Sequence, residues 1–535
     1  MLENIPVLSL ITWIPLAGAL LTLLLPGQNA RLLRGVAVAF TLVPLALAVW
    51  LYAAYNPSVS GESYEEAWTW LTVPLNRDVG EGIASLELAF DYRLGVDGLS
   101  LPLVLLTGVV SLMALAASVH IRKRWKTFYA LFLLLETGMF GVFLARDLIW
   151  FFIFFELTLI PAFFLIGIWG YYGREKAANR FLVYNGLGSA AMLLAFLILV
   201  ATAGFTTALT DNGYVLRFSG NYDALLANLA DPNAYVNQYP ESIFALTDEM
   251  KWAAFVLLIV AFGIKLPMFP FHTWMLRVHA EATPSLVMVH AGVLLKMGAY
   301  GLIRYAAFLF PAQLEAAAPV LAALGVAGIL YGAVLAFVQK EFRLVLAYSS
   351  VSHMGIVLLG VAALNDVGMT GAVFQSVSHG LISALMFLLV GSLHERTGTT
   401  RLDELGGLAK SVPFMSGVLL TAGLAMLGLP GLSGFVGEFL TFLGLFESMK
   451  GLTALGVLGV LLSAVYVLRS VLAITYGPQP EQFDGIKEAR FVEALPMIVL
   501  VALIVLLGVY PSLLTDPLQF SIDPLLDQFQ SGVGG

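Results

Sequence analysis

The sequence contains no cysteine. That excludes disulfides, thiolate-held iron–sulfur clusters and Cys-ligated zinc within the chain, so any electron chemistry belongs to other chains. Charge is scarce as well. Only 12% of the 535 residues are Asp, Glu, Lys or Arg, 59% are hydrophobic, and the mean hydropathy is +0.89. A chain of this composition is solvated by lipid rather than by water. The formal charge of −8 therefore says less than the placement of individual charges. No glycine fingerprint follows a strand as a dinucleotide site requires, and no nucleic-acid partner is expected. The first apolar run, Val7 to Leu25, has no basic residue ahead of it and no small-residue cleavage site, so it is expected as a retained helix.

What the sequence does have is long apolar runs. A helix needs about 20 apolar residues to cross a bilayer core, and about fourteen runs of that kind are present. They fall near 7–26, 33–54, 99–119, 127–145, 148–172, 180–204, 251–270, 283–310, 318–338, 344–364, 367–393, 412–446, 452–476 and 493–514. Two polar stretches interrupt them, Tyr55 to Gly98 and Phe205 to Met250. Their mix of Asn, Asp, Gly and aromatics predicts ordered surface loops, the first with a short hairpin. If the N-terminus lies outside, the loops that fall inside hold about 17 of the 27 Lys and Arg, among them Arg122-Lys123-Arg124-Lys126. Both termini are then expected outside.

Against this background a few ionisable residues stand deep in apolar runs, where a charge costs at least about 2.5–3.5 kcal/mol. Glu156 lies in LIWFFIFFELTLIPAFFLIGI, about 12 Å along the helix from Leu148. Lys265 occupies a similar depth in WAAFVLLIVAFGIKLPMFPFHTW, where Pro267 and Pro270 must break or kink the helix. Lys296 and His290 share the next run, with Gly292 and Gly298 permitting close helix approach. His353 and His379, each beside serine hydroxyls, supply imidazoles that titrate near neutrality. Glu438 follows GLPGLSGFVG, a second interrupted run. A lone membrane histidine is ordinarily a satisfied core residue, and His272, His279, His290 and His394 are read so. Glu136 and Asp147, near helix ends, are divided between packing and function.

Two helix breaks separated by five spans invert the topology between them, as an inverted repeat would. The motifs FFELTLIPAFFLIG, GIKLPMFPFHTW, HAGVLLKMGAYG, LAYSSVSHMG and GLPGLSGFVGEF resemble the antiporter-like subunits of respiratory complex I, and most closely the M-type chain equivalent to mitochondrial subunit 4. Related chains occur in Mrp antiporters. The resemblance covers about 120–450 and implies an all-α polytopic membrane protein with 14 transmembrane helices, containing two inverted five-helix repeats, each with a broken helix. The chain then divides into 1–119 (helices 1–3), 120–310 (first half), 311–476 (second half) and 477–535 (last helix and tail).

By the same resemblance Glu156 and Lys265 form the ion pair of the first half, Lys296 is the central relay, and His353 and His379 bridge to Glu438. A Lys usually stands at the last position in sister chains, which makes Glu438 the mark of the M type. One departure is Met275-Leu276-Arg277, where many relatives carry Leu-Pro-Asp. The implied function is proton translocation as a subunit of an NADH:quinone oxidoreductase in the bacterial cytoplasmic membrane, with no cofactor in this chain. Flavin and iron–sulfur clusters are expected in partner subunits, and sister antiporter-like chains, a peripheral redox arm and lipid as neighbours. The alternatives are an Mrp-type or stand-alone sodium/proton antiporter and, from another class, a di-haem cytochrome with His353 and His379 as axial ligands.

Overall fold

A computed structural model describes residues 6–55, 64–76, 83–210, 213–231, 233–238 and 245–532. Two helices open the chain, α1 (Val7–Leu24) and α2 (Ala30–Ala54), followed by strands β1 (Tyr64–Asn76) and β2 (Ile83–Val96). Then come α3 (Leu101–Ala116), α4 (Trp125–Leu144), α5 (Leu148–Trp169) and α6 (Arg174–Ala201). Strands β3 (Phe205–Thr210) and β4 (Gly213–Ser219) lead to the short helices α7 (Tyr222–Ala230) and α8 (Tyr235–Gln238). The middle of the chain forms α9 (Asp248–Lys265), α10 (Thr273–Glu281), α11 (Pro284–Val289) and α12 (Leu295–Gly301). A π-turn, His290–Leu294, joins α11 to α12, and a second, Leu302–Ala307, ends the span. After these come α13 (Pro311–Val338), α14 (Phe342–Ala362), α15 (Asp366–Thr397), α16 (Pro413–Met426), α17 (Ser433–Ser448) and α18 (Lys450–Thr475). Last are α19 (Phe491–Val509) and α20 (Ser512–Gly532).

Among the described residues, twelve helices are long and apolar enough to cross a bilayer. Their ends follow local chemistry. The Asp147 carboxylate starts α5 by accepting Ile149 N at 2.9 Å and Trp150 N at 3.2 Å. Asn365 does the same for α15 through Gly368 N. Gly398, at φ +72°, closes α15 by bonding back to His394 O. The outer helices turn Leu, Val and Phe side chains outward, for example Leu187, Leu197, Val320 and Leu461, as helices in lipid do. The span 284–307 and α15 are instead buried along their whole apolar lengths.

Two apolar segments are interrupted where the sequence predicts breaks. The first helix stops at Lys265, earlier than the 251–270 run suggests, because Pro267 and Pro270 supply no backbone N–H. The indole Nε1 of Trp274 donates to the Ile264 carbonyl at 3.1 Å, joining α10 to the end of α9 across the gap. Helix α12 packs close against this corner: a Cβ on Gly298 would lie 2.5 Å from Leu266 N. The second break separates α16 from α17, with Gly428 at φ +77° and Gly431 at φ +90°.

The polar stretches add a four-stranded sheet of order β1-β2-β4-β3 to the helical array. The hairpin of β1 and β2 is longer than the short one predicted, with strands of 13 and 14 residues. It pairs antiparallel, and β2 then pairs parallel with β4 from the second loop, Leu86 opposite Leu216. The tail also exceeds its reading: α20 packs on α15 and α13.

Candidate functional site

The six candidate residues come from six elements. Glu156 lies on α5 and Lys265 ends α9. Lys296 stands on α12, just after the π-turn. His379 and His353 face each other from α15 and α14, and Glu438 is in the first turns of α17. All but Glu156 are at most 5% exposed, and Glu156 is half-buried.

Lys296 is wholly buried and its ammonium has two partners. It donates to the Ala291 carbonyl inside the π-turn and lies 2.7 Å from His379 Nδ1. The wider turn, in which Leu295 N reaches back to His290 O, leaves the Ala291 carbonyl available to the side chain. The His379 and His353 ring centres are 5.3 Å apart. His353 Nδ1 donates to Ser349 O at 2.7 Å and Nε2 to Met426 O at 3.1 Å. Carbonyls only accept, so making both bonds requires a proton on each nitrogen. In that doubly protonated form the ring has its counter-charge in Glu438, whose Oε1 is 3.5 Å from Nε2. Met426 is the last residue of α16, so the second break supplies one of these carbonyls. The same break admits the acid: a Cβ on Gly428 would lie 2.5 Å from Glu438 Oε2.

The first half is looser. Lys265 Nζ lies 4.7 Å from the centre of the Phe155 ring and 5.9 Å from that of Phe181, and it has no hydrogen-bond partner among the described residues. Oε1 of Glu156 is likewise buried without one. The expected contact ion pair is therefore not closed; no carboxylate lies within salt-bridge distance of Lys265 among the described residues. Aromatic faces hold the ammonium instead.

The segment 145–463 matches the profile of the membrane domain described as "NADH:quinone oxidoreductase/Mrp antiporter, TM". The chain belongs to this antiporter-like family. Among its relatives, "NAD(P)H-quinone oxidoreductase chain 4 2" of Thermosynechococcus vestitus is 36% identical, with 96% of this chain and 90% of the relative covered. "NADH-quinone oxidoreductase subunit M" of Rhodobacter capsulatus is 35% identical, with 98% of each covered. In the solved structure of respiratory complex I from Thermus thermophilus with bound NADH, one chain superposes with a TM-score of 0.80 at 30% identity, over 99% of this chain and all of that one. A chain of the Mrp complex from a Dietzia species shares the fold, with a TM-score of 0.79 at 22% identity over 99% and 98% of the two chains.

Within this family member, two groups of residues escaped the sequence. His279 and His290 are not the satisfied core histidines expected: Nε2 of His279 meets Nδ1 of His290 at 3.0 Å, and the outer nitrogen of each is buried and has no partner among the described residues. They stand between the two lysines, with His290 against Phe181, the ring that also faces Lys265. The second group is Asp97, Arg146 and Arg304. Arg146 Nη2 and Arg304 Nη2 reach the same Asp97 oxygen, at 2.8 and 2.5 Å. Burial opposes the Asp97 carboxylate, but the Arg304 and Arg146 guanidiniums outweigh it and hold its pKa well below the ordinary value. The only signal in the sequence was an arginine inside the apolar run GLIRYAAFLF. Asp147 proves to be a helix cap, and Glu136 is wholly buried, with Thr41 Oγ1 donating to it at 2.6 Å.

Proposed function

We propose that this chain is a proton-translocating membrane subunit of an NADH:quinone oxidoreductase, with the proton carried along Lys265, Lys296, His379, His353 and Glu438. The observation that carries this reading is the row from the Lys296 ammonium through His379 and His353 to Glu438, buried throughout and polar throughout. Membrane interiors tolerate such a row only at a cost, and ion pathways are where that cost is met. The open arrangement of Glu156 and Lys265 fits a switch. When the carboxylate moves close, Lys265 holds its proton; when it withdraws, the proton is released toward Lys296, with His290 and His279 between them. The names of the relatives support the quinone-oxidoreductase assignment over an Mrp antiporter. A di-haem reading is disfavoured because both nitrogens of His353 already donate to carbonyls and Nδ1 of His379 faces Lys296.

Counting the interrupted pairs α9–α10 and α16–α17 as one span each alongside the twelve continuous helices gives fourteen, in two inverted five-helix repeats. The redox centres belong to partner subunits of a peripheral arm, and sister antiporter-like chains flank this one in the bacterial cytoplasmic membrane. The basic loops face the cytoplasm and both termini lie outside.

Purification through a tag on this chain tests the assembly: iron–sulfur subunits are expected to accompany it, and small antiporter subunits in their place would refute the reading. In the intact complex, Lys265→Ala and Glu156→Ala are expected to lower coupled quinone reduction about tenfold or more while assembly on native gels is retained. Unchanged turnover and pumping in both variants would remove the pair from the mechanism.

A further inference from the structure

A cavity of about 680 Å³ opens between the two halves of the molecule, apart from the proton row, at the end that carries the basic loops. Tyr171, Arg180, Arg277 and Glu281 line it from the first half. From the second half come Glu341, Arg343, His394 and Arg401.

Arg343 sets the chemistry. It is 9% exposed, with its guanidinium 4.1 Å from the centre of the Tyr171 ring and Nη1 donating to Ala280 O at 3.3 Å. Its Nη2 and, on the same wall, Nδ1 of His394 are buried with no hydrogen-bond partner of good geometry among the described residues. A buried guanidinium nitrogen left without an acceptor is costly, and an oxyanion in the cavity would remove that cost. The lining charges agree, with four arginines against two glutamates. One of those glutamates, Glu281, already accepts Gly173 N at 2.8 Å, and Arg401 is held by Asp403 and Glu404. Arg180 and Arg277 form no ion pair among the described residues.

The surroundings indicate what bears the oxyanion. Tyr172, at the rim, is fully exposed, and α6 and α13 carry outward apolar side chains, Val183 and Leu187 on one and Val334 and Val338 on the other. Both helices are tied to the first break beside the cavity, α6 through Tyr184 Oη and Thr273 Oγ1 at 3.1 Å, α13 through Tyr331 packed on His272. Basic pockets between membrane helices are suited to anionic head groups. We propose that this cavity binds the phosphate of an anionic phospholipid, with Arg343, Arg277 and Arg180 receiving the head group and the acyl chains lying along α6 and α13. The lipid would then bridge the two halves independently of the proton row.

The test uses the intact complex in proteoliposomes containing a photoactivatable phosphatidylglycerol, with cross-linked peptides mapped by mass spectrometry. Labelling of 171–180, 273–281, 339–348 and 394–401 is expected, falling about tenfold in Arg343→Gln and in Arg277→Gln, as for loss of one charge-assisted hydrogen bond. Arg277 is exposed, so its variant stays informative if Arg343→Gln fails to assemble. Equal labelling by a phosphatidylcholine probe, or labelling unchanged in the variants, overturns the proposal. Suppression by excess inorganic phosphate would assign the cavity to free phosphate and overturn the lipid as its source.

Discussion

The ammonium of Lys296 and Nδ1 of His379 are 2.7 Å apart in a fully buried site. When Lys296 is protonated it can only donate there, and His379 then accepts at Nδ1 with its own proton on Nε2, a nitrogen without a partner among the described residues. One proton passed from Lys296 to Nδ1 and one lost from Nε2 would move charge along the row without displacing a helix. This contact separates charge from proton transfer. Lys296→Arg keeps the positive charge but cannot release a proton in the working range. It is expected to assemble and to lower proton pumping about tenfold or more, measured by dye quenching in vesicles. Pumping at the wild-type rate would mean that Lys296 serves only as a fixed charge.

The acid at the far end makes a second prediction. If Glu438 both neutralises His353 and passes the proton on, carboxylate chemistry matters more than volume. Glu438→Gln is expected to stop pumping, and Glu438→Asp, shorter by about 1.5 Å, to retain part of it where water spans the gap. Proton uptake measured beside electron transfer decides. A Gln variant that pumps normally would end the route elsewhere.

Much of this site was legible because each member is a lone ionisable residue in an apolar run, a pattern that needs no knowledge of its neighbours. The spans were legible for the same reason, and the breaks because proline and clustered glycine disrupt a helix wherever they fall. What the sequence hid depends on distance along the chain. Asp97 reads as a loop residue until Arg146 and Arg304 arrive from remote segments. His279 and His290 read as separate core residues until the π-turn and α10 bring their rings together. The parallel pairing of β2 with β4 joins two loops more than a hundred residues apart, and no local signal encodes it.

Asp97 gives a stability prediction. Asp97→Asn leaves Arg146 and Arg304 buried against each other and is expected to cost about 3–5 kcal/mol, read as a lower midpoint of thermal unfolding in detergent. The native pKa is depressed, so the stabilisation is complete above the ordinary carboxylate value and is lost as pH falls below it toward the native value. The wild type should therefore lose stability in strong acid, whereas Asp97→Asn should show less of that loss. Equal stability of the two proteins at neutral pH would contradict the role.

Asp147 has the opposite sign. Burial pushes its carboxyl up to about 7, against the opposing effect of the Trp150 and Ile149 N–H groups. The folded state then holds a proton that the unfolded chain has released, so this residue's contribution falls as pH rises from about 4 to 7. Asparagine caps a helix equally well without titrating. Asp147→Asn is expected to match the wild type in mild acid and to exceed it at pH 8 in thermal unfolding. A variant less stable at pH 8 would show that the charged form is the one the fold needs.

The bond from Trp274 to Ile264 bears on how the first half can work. A gap between two half-helices looks like a joint, yet this one is braced: the indole spans it, and α12 presses on the corner through Gly298. Bending there would break that hydrogen bond and crowd Gly298 against Leu266, so both contacts resist it. Lys265 ends α9 at this corner, its side chain resting on the Phe155 and Phe181 rings with no hydrogen-bond partner among the described residues. In the proposed route the gap between Lys265 and Glu156 can then close and open by rotation of the two side chains on a braced frame, over a distance set by their reach rather than by the travel of a helix.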